Sequence, residues 1–74
     1  QNEDTYQDLL HSLSNKLKSV RTAKGFTQKE VAYGCGMDEQ NYRRIENGKT
    51  NPNLKSLHRI CSVLKITLSD LFKE

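Results

Sequence analysis

Residues 27–49 read TQKEVAYGCGMDEQNYRRIENGK, and this stretch decides the fold. Thr27 can accept a hydrogen bond from a free amide of a first helical turn, and Glu30, three residues on, can return the bond. An apolar stripe at helical spacing then follows, formed by Val31, Ala32 and Cys35. The pattern therefore predicts a short helix that begins directly after Thr27.

The glycines of the GCG segment, residues 34–36, predict the end of that helix, because a tight turn with positive φ favours glycine. Asp38 is the expected N-cap of a second helix, which continues through Tyr42 and Ile45 until Asn47 and Gly48 end it. Two short helices joined by a glycine turn form a helix-turn-helix, over residues 27–48. The second helix carries side chains suited to nucleic acid: Glu39, Gln40, Asn41, Arg43 and Arg44.

Three more helices are predicted around this motif. A first helix should run from about Tyr6 to about Lys24, after a frayed tail at residues 1–5, with an apolar face stepping by three and four residues. Asn53 is the expected N-cap of a fourth helix, and Thr67 with Asp70 that of a short fifth one. The predicted fold is thus all-α, with five helices around one core and a single DNA-binding domain over residues 6–74.

Charge and composition narrow the classes of function. The 74 residues carry a net charge of +3, and residues 9–66 hold eleven Lys and Arg against four Asp and Glu, which favours a polyanionic partner. No nucleophile–base pair, paired carboxylates or phosphate-cradling glycine loop is evident, so an enzyme with a small-molecule substrate is a poor fit. The prediction is a binding protein without catalysis.

Cysteine and histidine usage argues against a metal site and against any cofactor. Cys35 and Cys61 lie far apart in the sequence, each on an apolar helix face, and neither histidine brings them into a zinc spacing. Both cysteines are therefore interpreted as small buried hydrophobic residues. Free thiols and the absence of a signal peptide or a long apolar run favour the cytoplasm, with no membrane partner.

Three segments together resemble the phage lambda repressor and Cro-like family, also called the Xre-like family of bacterial regulators. They read KLKSVRTAKGFTQKEVA, GMDEQNYRRIENGKTNPNLKSLHRI and LKITLSDLF, and the resemblance covers roughly residues 14–72. It implies a five-helix domain that binds double-stranded DNA, normally as a homodimer on a two-fold symmetric operator, in a bacterial or phage setting at the nucleoid.

The resemblance implies base contacts from Glu39, Gln40 and Arg44, with Asn41 and Arg43 as secondary candidates. Independently, Gln40 and Arg44 are four residues apart and so share one helix face, opposite to Tyr42 and Ile45. Glutamine pairs with adenine and arginine with guanine in the major groove. Glu39 can accept from cytosine, or can repel phosphates, or can form a surface ion pair with Arg43.

Phosphate contacts are expected from two places. Thr27 and Gln28 lie at a helix start, where free amides attract anions. The resemblance adds Asn47 and Lys49 in the loop after the second motif helix, with Asn51 as an extension. It also pairs Arg21 with Glu46, so that one guanidinium binds the carboxylate and still reaches a phosphate. These residues complete the expected DNA-binding surface.

Two positions depart from the family pattern, and one surface is left open. Tyr42 stands where an aliphatic residue is usual. Lys65 replaces a glycine, at a cost of roughly 1 kcal/mol if its backbone is left-handed. Near the end of the chain, apolar side chains are expected either in the core or in a dimer interface: Leu68, Leu71 and Phe72.

The leading functional hypothesis is a sequence-specific transcriptional regulator of the repressor or autoregulator kind. The alternative is an antitoxin-like protein-interaction module in which DNA binding is secondary. A further domain or protein partner is compatible with a chain of this length. A partner-independent soluble dimer would favour the regulator.

Overall fold

The computed structural model describes residues 5–72, which form five helices and no strand within that range. The first four residues of the tail predicted at residues 1–5, and the last two residues of the chain, lie outside it. Every helix begins and ends within a few residues of the position that the sequence predicts. Their bounds are α1 Tyr6–Ala23, α2 Gln28–Cys35, α3 Glu39–Glu46, α4 Leu54–Leu64 and α5 Leu68–Leu71.

Side-chain caps explain most of the helix starts. Thr27 accepts from the Glu30 amide while the Glu30 carboxylate accepts from the Thr27 amide, and Thr67 and Asp70 repeat this reciprocal pair, as predicted. Thr5 caps α1 in the same way with Asp8, although the sequence placed it in a frayed tail. That prediction was wrong for Thr5, because a capping box at its position was overlooked.

The start of α3 differs in one respect from the prediction. Asp38 occupies the N-cap position with extended backbone, but its side chain makes no cap hydrogen bond. The position was predicted correctly and the bond was not.

The two glycines of the GCG segment have different roles. Gly36 takes the left-handed conformation, with φ 68°, and ends α2. Gly34 stays helical, and a β-carbon added there would lie 3.0 Å from the Cγ2 atom of Val63 on α4. Gly34 therefore allows α2 and α4 to approach closely, which the local pattern could not reveal.

The core forms where α2 packs on α3 and α4, while α1 packs on α3 and α5. Tyr42, Leu17 and Ile60 are among the largest fully buried side chains. Cys35 and Cys61 are buried and free, and burial is the main reason why the pKa of each thiol is raised. Their interpretation as buried hydrophobic residues is confirmed.

Within residues 5–72, no group of His, Cys, Asp and Glu side chains could hold a metal ion, and no helix is long and apolar enough to cross a membrane.

Lys65 is the one non-glycine residue of the described chain with positive φ, at 62°. Because its β-carbon strains this conformation, Lys65→Gly is expected to raise the free energy of unfolding by about 0.5–1 kcal/mol, measured by urea denaturation. Lys65→Ala keeps the β-carbon and should match the parent protein. A glycine variant no more stable than the alanine variant would refute the strain.

Candidate nucleic-acid interface

Helix α3 has one buried face and one exposed face. Tyr42, Ile45 and Glu46 are buried, whereas Gln40, Asn41, Arg43 and Arg44 are exposed. The predicted inward orientation of Tyr42 and Ile45 is thus confirmed. The side chains of Gln40 and Arg44 lie on the surface one helical turn apart, and they form no hydrogen bond or ion pair with another residue in 5–72.

Two other candidates for base contact are engaged within the protein. The Nη2 atom of Arg43 donates to the Oε2 atom of Glu39 at 2.7 Å, which is the surface ion pair considered as an alternative. The Nε atom of Arg43 donates to the Oε1 atom of Gln28 at 3.2 Å, which ties α3 to the start of α2. These bonds use two of the five N–H groups of Arg43 and one carboxylate oxygen of Glu39, so both side chains are held within the protein but keep some hydrogen-bonding capacity.

Beneath α3, the buried carboxylate of Glu46 accepts four hydrogen bonds. Arg21 on α1 donates from Nε to Oε2 at 2.5 Å and from Nη2 to Oε1 at 3.2 Å. The hydroxyl of Tyr42 donates to Oε2 at 2.5 Å, and Nε2 of Gln28 donates to Oε1 at 3.0 Å. The expected pairing of Arg21 with Glu46 is present, and the side chain of Glu46 is 0% exposed.

These donors keep Glu46 ionised. Burial alone would raise the pKa of Glu46, but the hydrogen bonds from Arg21, Tyr42 and Gln28 together lower it below its ordinary value. Burial and the bond to Glu46 raise the pKa of Tyr42, so its hydroxyl remains a donor. The hydrogen bond to Glu46 raises the pKa of Arg21. The cluster is a charged pair with its lone pairs satisfied, which is the condition for tolerating a buried charge.

Sequence reasoning missed two members of this cluster. Tyr42 was noted only as a departure from an aliphatic pattern, although its spacing of four from Glu46 on one helix is a signal for a contact. Gln28 was expected on a phosphate, yet both ends of its amide are used, one on Glu46 and the other on Arg43. No local pattern in the sequence indicates these bonds, because Gln28 lies 18 residues from Glu46 and 15 residues from Arg43.

The remaining candidates for phosphate contact differ in their free hydrogen-bonding groups and in their exposure. The Thr27 hydroxyl accepts the cap bond from Glu30. Arg21 also donates from Nη1 to the carbonyl of Phe26 at 2.8 Å, which leaves one N–H on each terminal nitrogen. In the segment after α3, the three phosphate candidates are all exposed: Asn47, Lys49 and Asn51.

The apolar residues near the end of the chain are divided between core and surface. Leu71 is 3% exposed and belongs to the core, so its assignment to a candidate dimer surface requires correction. Leu68 is half-buried against the core, whereas Phe72 is exposed. Phe72 lines a shallow cleft with Tyr6 and Leu9 of α1, which are also exposed. We call these three residues the α1–α5 apolar surface.

Comparison with known proteins agrees with this geometry. The family described as Helix-turn-helix, HTH_3, matches residues 17–71, which include the last four helices and part of α1. The chain belongs to this helix-turn-helix family. Membership confirms the expected fold and the expected class, a DNA-binding transcriptional regulator that is not an enzyme.

Individual relatives cover most of the chain. The control protein C.MunI from Mycoplasma sp is 40% identical over 68 residues, which are 90% of this chain and 92% of that protein. The transcriptional regulator YonR, derived from the SPbeta prophage of Bacillus subtilis, is 36% identical over 58 residues, 78% of this chain. The matched part of YonR is 54% of its length, so the chain spans about half of that relative.

Solved structures share the fold of helix-turn-helix regulators. The restriction-modification controller protein C.AhdI from Aeromonas hydrophila has a TM-score of 0.83 at 30% identity, over 85% of this chain and 96% of that chain. The wild-type controller protein C.Esp1396I has a TM-score of 0.80 at 29% identity, over 92% of this chain and 87% of that one.

Proposed function

We propose that the chain binds a specific double-stranded DNA operator by placing α3 in the major groove. The observation that carries this proposal is the exposed face of α3. Gln40 and Arg44 lie free on a helix whose other face is held by the buried Glu46 cluster. A rigid helix with unengaged amide and guanidinium groups is what direct base contact requires.

Different roles follow for the exposed residues of α3. Gln40 pairs with adenine, because its amide can donate to N7 and accept from the N6 amino group, and Arg44 pairs with guanine, because its guanidinium can donate to both O6 and N7. Asn41 lies beside them and is a secondary contact. Glu39 and Arg43 bond to each other, and Arg43 also bonds to Gln28, so these two residues are secondary base contacts that would use their remaining N–H groups and carboxylate oxygen.

Phosphate contacts would flank the base contacts on both sides. The start of α2 contributes backbone amides at Gln28, and Arg21 contributes its remaining N–H groups from below. On the other side of α3, exposed Asn47, Lys49 and Asn51 complete the contacts. These groups position the protein without distinguishing sequences.

The active form that we propose is a homodimer joined through the α1–α5 apolar surface. Tyr6, Leu9 and Phe72 are 53%, 51% and 55% exposed and line one cleft, which is an unusual concentration of apolar area for a small domain. A two-fold axis at this surface would present two α3 helices to successive major grooves, about 34 Å apart. The operator would then be an inverted repeat.

The regulatory role that we propose is that of a repressor or autoregulator. Support comes from the similarity to the control protein C.MunI, which extends over nearly the whole of both chains, and to the controller proteins C.AhdI and C.Esp1396I. The names of these relatives, control protein and restriction-modification controller protein, describe regulators, which is the kind of role proposed here.

Selection from a random duplex library at near-physiological salt, followed by sequencing, tests the proposed function. An enriched inverted repeat is expected, with its half-sites about one helical turn apart. Binding only at low salt, without an enriched sequence, would overturn sequence-specific regulation. It would favour a protein-interaction module, for which affinity capture of a partner is the next measurement.

Dimerisation has a separate test. Leu9→Lys and Phe72→Lys each place a charge on the α1–α5 apolar surface and are expected to shift sedimentation toward the monomer. The matched control is Tyr33→Lys, since Tyr33 on α2 is 88% exposed and lies outside that surface. If the dimer persists in both Leu9→Lys and Phe72→Lys, the dimer interface does not lie at the α1–α5 apolar surface.

A further inference from the structure

His11 on α1 lies against the loop that follows α3. A β-carbon added to Gly48 would lie 3.1 Å from the Cδ2 atom and 3.7 Å from the Nε2 atom of the His11 imidazole. Gly48 itself has φ 69°. A glycine here therefore permits the left-handed turn and leaves room for the imidazole beside the loop.

The backbone of this loop has no amide left for a phosphate at residues 47–49. The amide of Asn47 donates to the carbonyl of Arg43 at 3.0 Å, and that of Gly48 to Ile45 at 3.1 Å. The amide of Lys49 donates to the carbonyl of Arg44 at 2.9 Å. All three close the end of α3, so a phosphate at this loop would have to be held by side chains.

The imidazole of His11 is available for that purpose. The side chain is exposed, and its ring nitrogens bond to no other residue within 5–72. Its neighbours on α1 are otherwise occupied. Ser14 donates its hydroxyl to the His11 carbonyl at 3.2 Å, and Asp8 accepts the Thr5 amide in the cap of α1. The ring thus lies free next to Gly48, the residue between Asn47 and Lys49 in the chain.

We propose that His11 is a further phosphate-binding residue, which donates a ring N–H to the DNA backbone segment that Asn47 and Lys49 contact. The inference rests on the proposed function, because it takes the loop after α3 to face DNA. It extends the part of α1 that contacts DNA from Arg21 to the first half of the helix, where His11 lies about one turn before the buried Ser14. The contact selects for a phosphate and not for a base.

The inference is tested by measuring how His11 variants bind two DNA duplexes of about 20 base pairs, one that contains the selected operator and one that does not. Each affinity is measured over a series of salt concentrations. His11→Ala is expected to weaken binding to both duplexes by about tenfold, since a hydrogen bond to a charged group is lost. His11→Lys is expected to restore affinity and to steepen the salt dependence by about 0.9 relative to His11→Ala.

Two controls separate this inference from the proposed function. His58→Ala removes the other histidine, which is exposed on α4 beside Gly34 and Val63, and should leave binding unchanged. Lys49→Ala should weaken all duplexes and lower the salt slope by about one unit. If Lys49→Ala has this effect and His11→Ala has none, the role of His11 is overturned alone.

Two other outcomes also contradict the inference. If neither Lys49→Ala nor His11→Ala weakens binding, the loop does not face DNA and this part of the proposed function fails with it. If His11→Ala alters the selected sequence, the residue acts on base recognition, since a phosphate contact carries no sequence preference. Thermal unfolding of each variant shows whether the comparison is made on folded protein.

Discussion

Replacing Arg21 by methionine is expected to lower the free energy of unfolding by about 3–5 kcal/mol, because it leaves the charge of Glu46 buried without its ionic partner. The side chain of Glu46 is 0% exposed and would lose two of its four donors. Domains of this size have a total stability of about 5–15 kcal/mol. Urea denaturation followed by circular dichroism measures the loss.

Two variants show whether the buried charge is the cause. Arg43→Met breaks an exposed ion pair, with Arg43 and Glu39 at 49% and 38% exposure, and should cost below about 1 kcal/mol. The double variant Arg21→Met with Glu46→Leu leaves no buried carboxylate and should recover part of the loss. A loss below 1 kcal/mol for Arg21→Met alone would mean that water reaches Glu46.

Arg44→Ala and Gln40→Ala are each expected to weaken binding to the selected operator by about 1–3 kcal/mol and to relax the preference at one base pair. The physical reason is the loss of a bidentate pair in the major groove, which no neighbouring side chain replaces. Both side chains are exposed, so unfolding should change little. Titration of operator variants substituted at each base pair measures both effects.

Arg43→Ala is the matched control for base recognition. Arg43 lies on the same helix but is held by Glu39 and Gln28, so its removal should alter sequence preference less than that of Arg44. An unchanged preference in Arg44→Ala and Gln40→Ala would remove both from base recognition. A larger change in Arg43→Ala would show that Arg43, and not Arg44, is the main arginine contact to a base.

The helices were predictable because their signals are local. In each capping pair, Thr27 with Glu30 and Thr67 with Asp70, the two residues are three positions apart in the sequence. The apolar stripes repeat every three to four residues. The role of Gly34 was not predictable, since it depends on Val63, which lies on α4. Close approach between helices leaves no mark within a short window of sequence.

The candidate site was predictable only in part for the same reason. The exposed positions of Gln40 and Arg44 follow from helical periodicity, whereas Arg21 and Glu46, 25 residues apart, could be paired only through the family resemblance. The bridge made by Gln28 and the proximity of His11 to Gly48 depend on how α1, α2 and α3 meet. Such contacts appear only when the helices are packed.

Gln40 and Arg44 lie outside the hydrogen-bonded cluster that holds α3 in place. With base contact by these two side chains as proposed, a few codon changes at these positions would redirect the protein to a new operator while the scaffold keeps its stability. Duplicated copies of such a gene can diverge in target without passing through an unfolded intermediate. The same separation makes this helix a practical starting point for engineering altered specificity by randomising two residues.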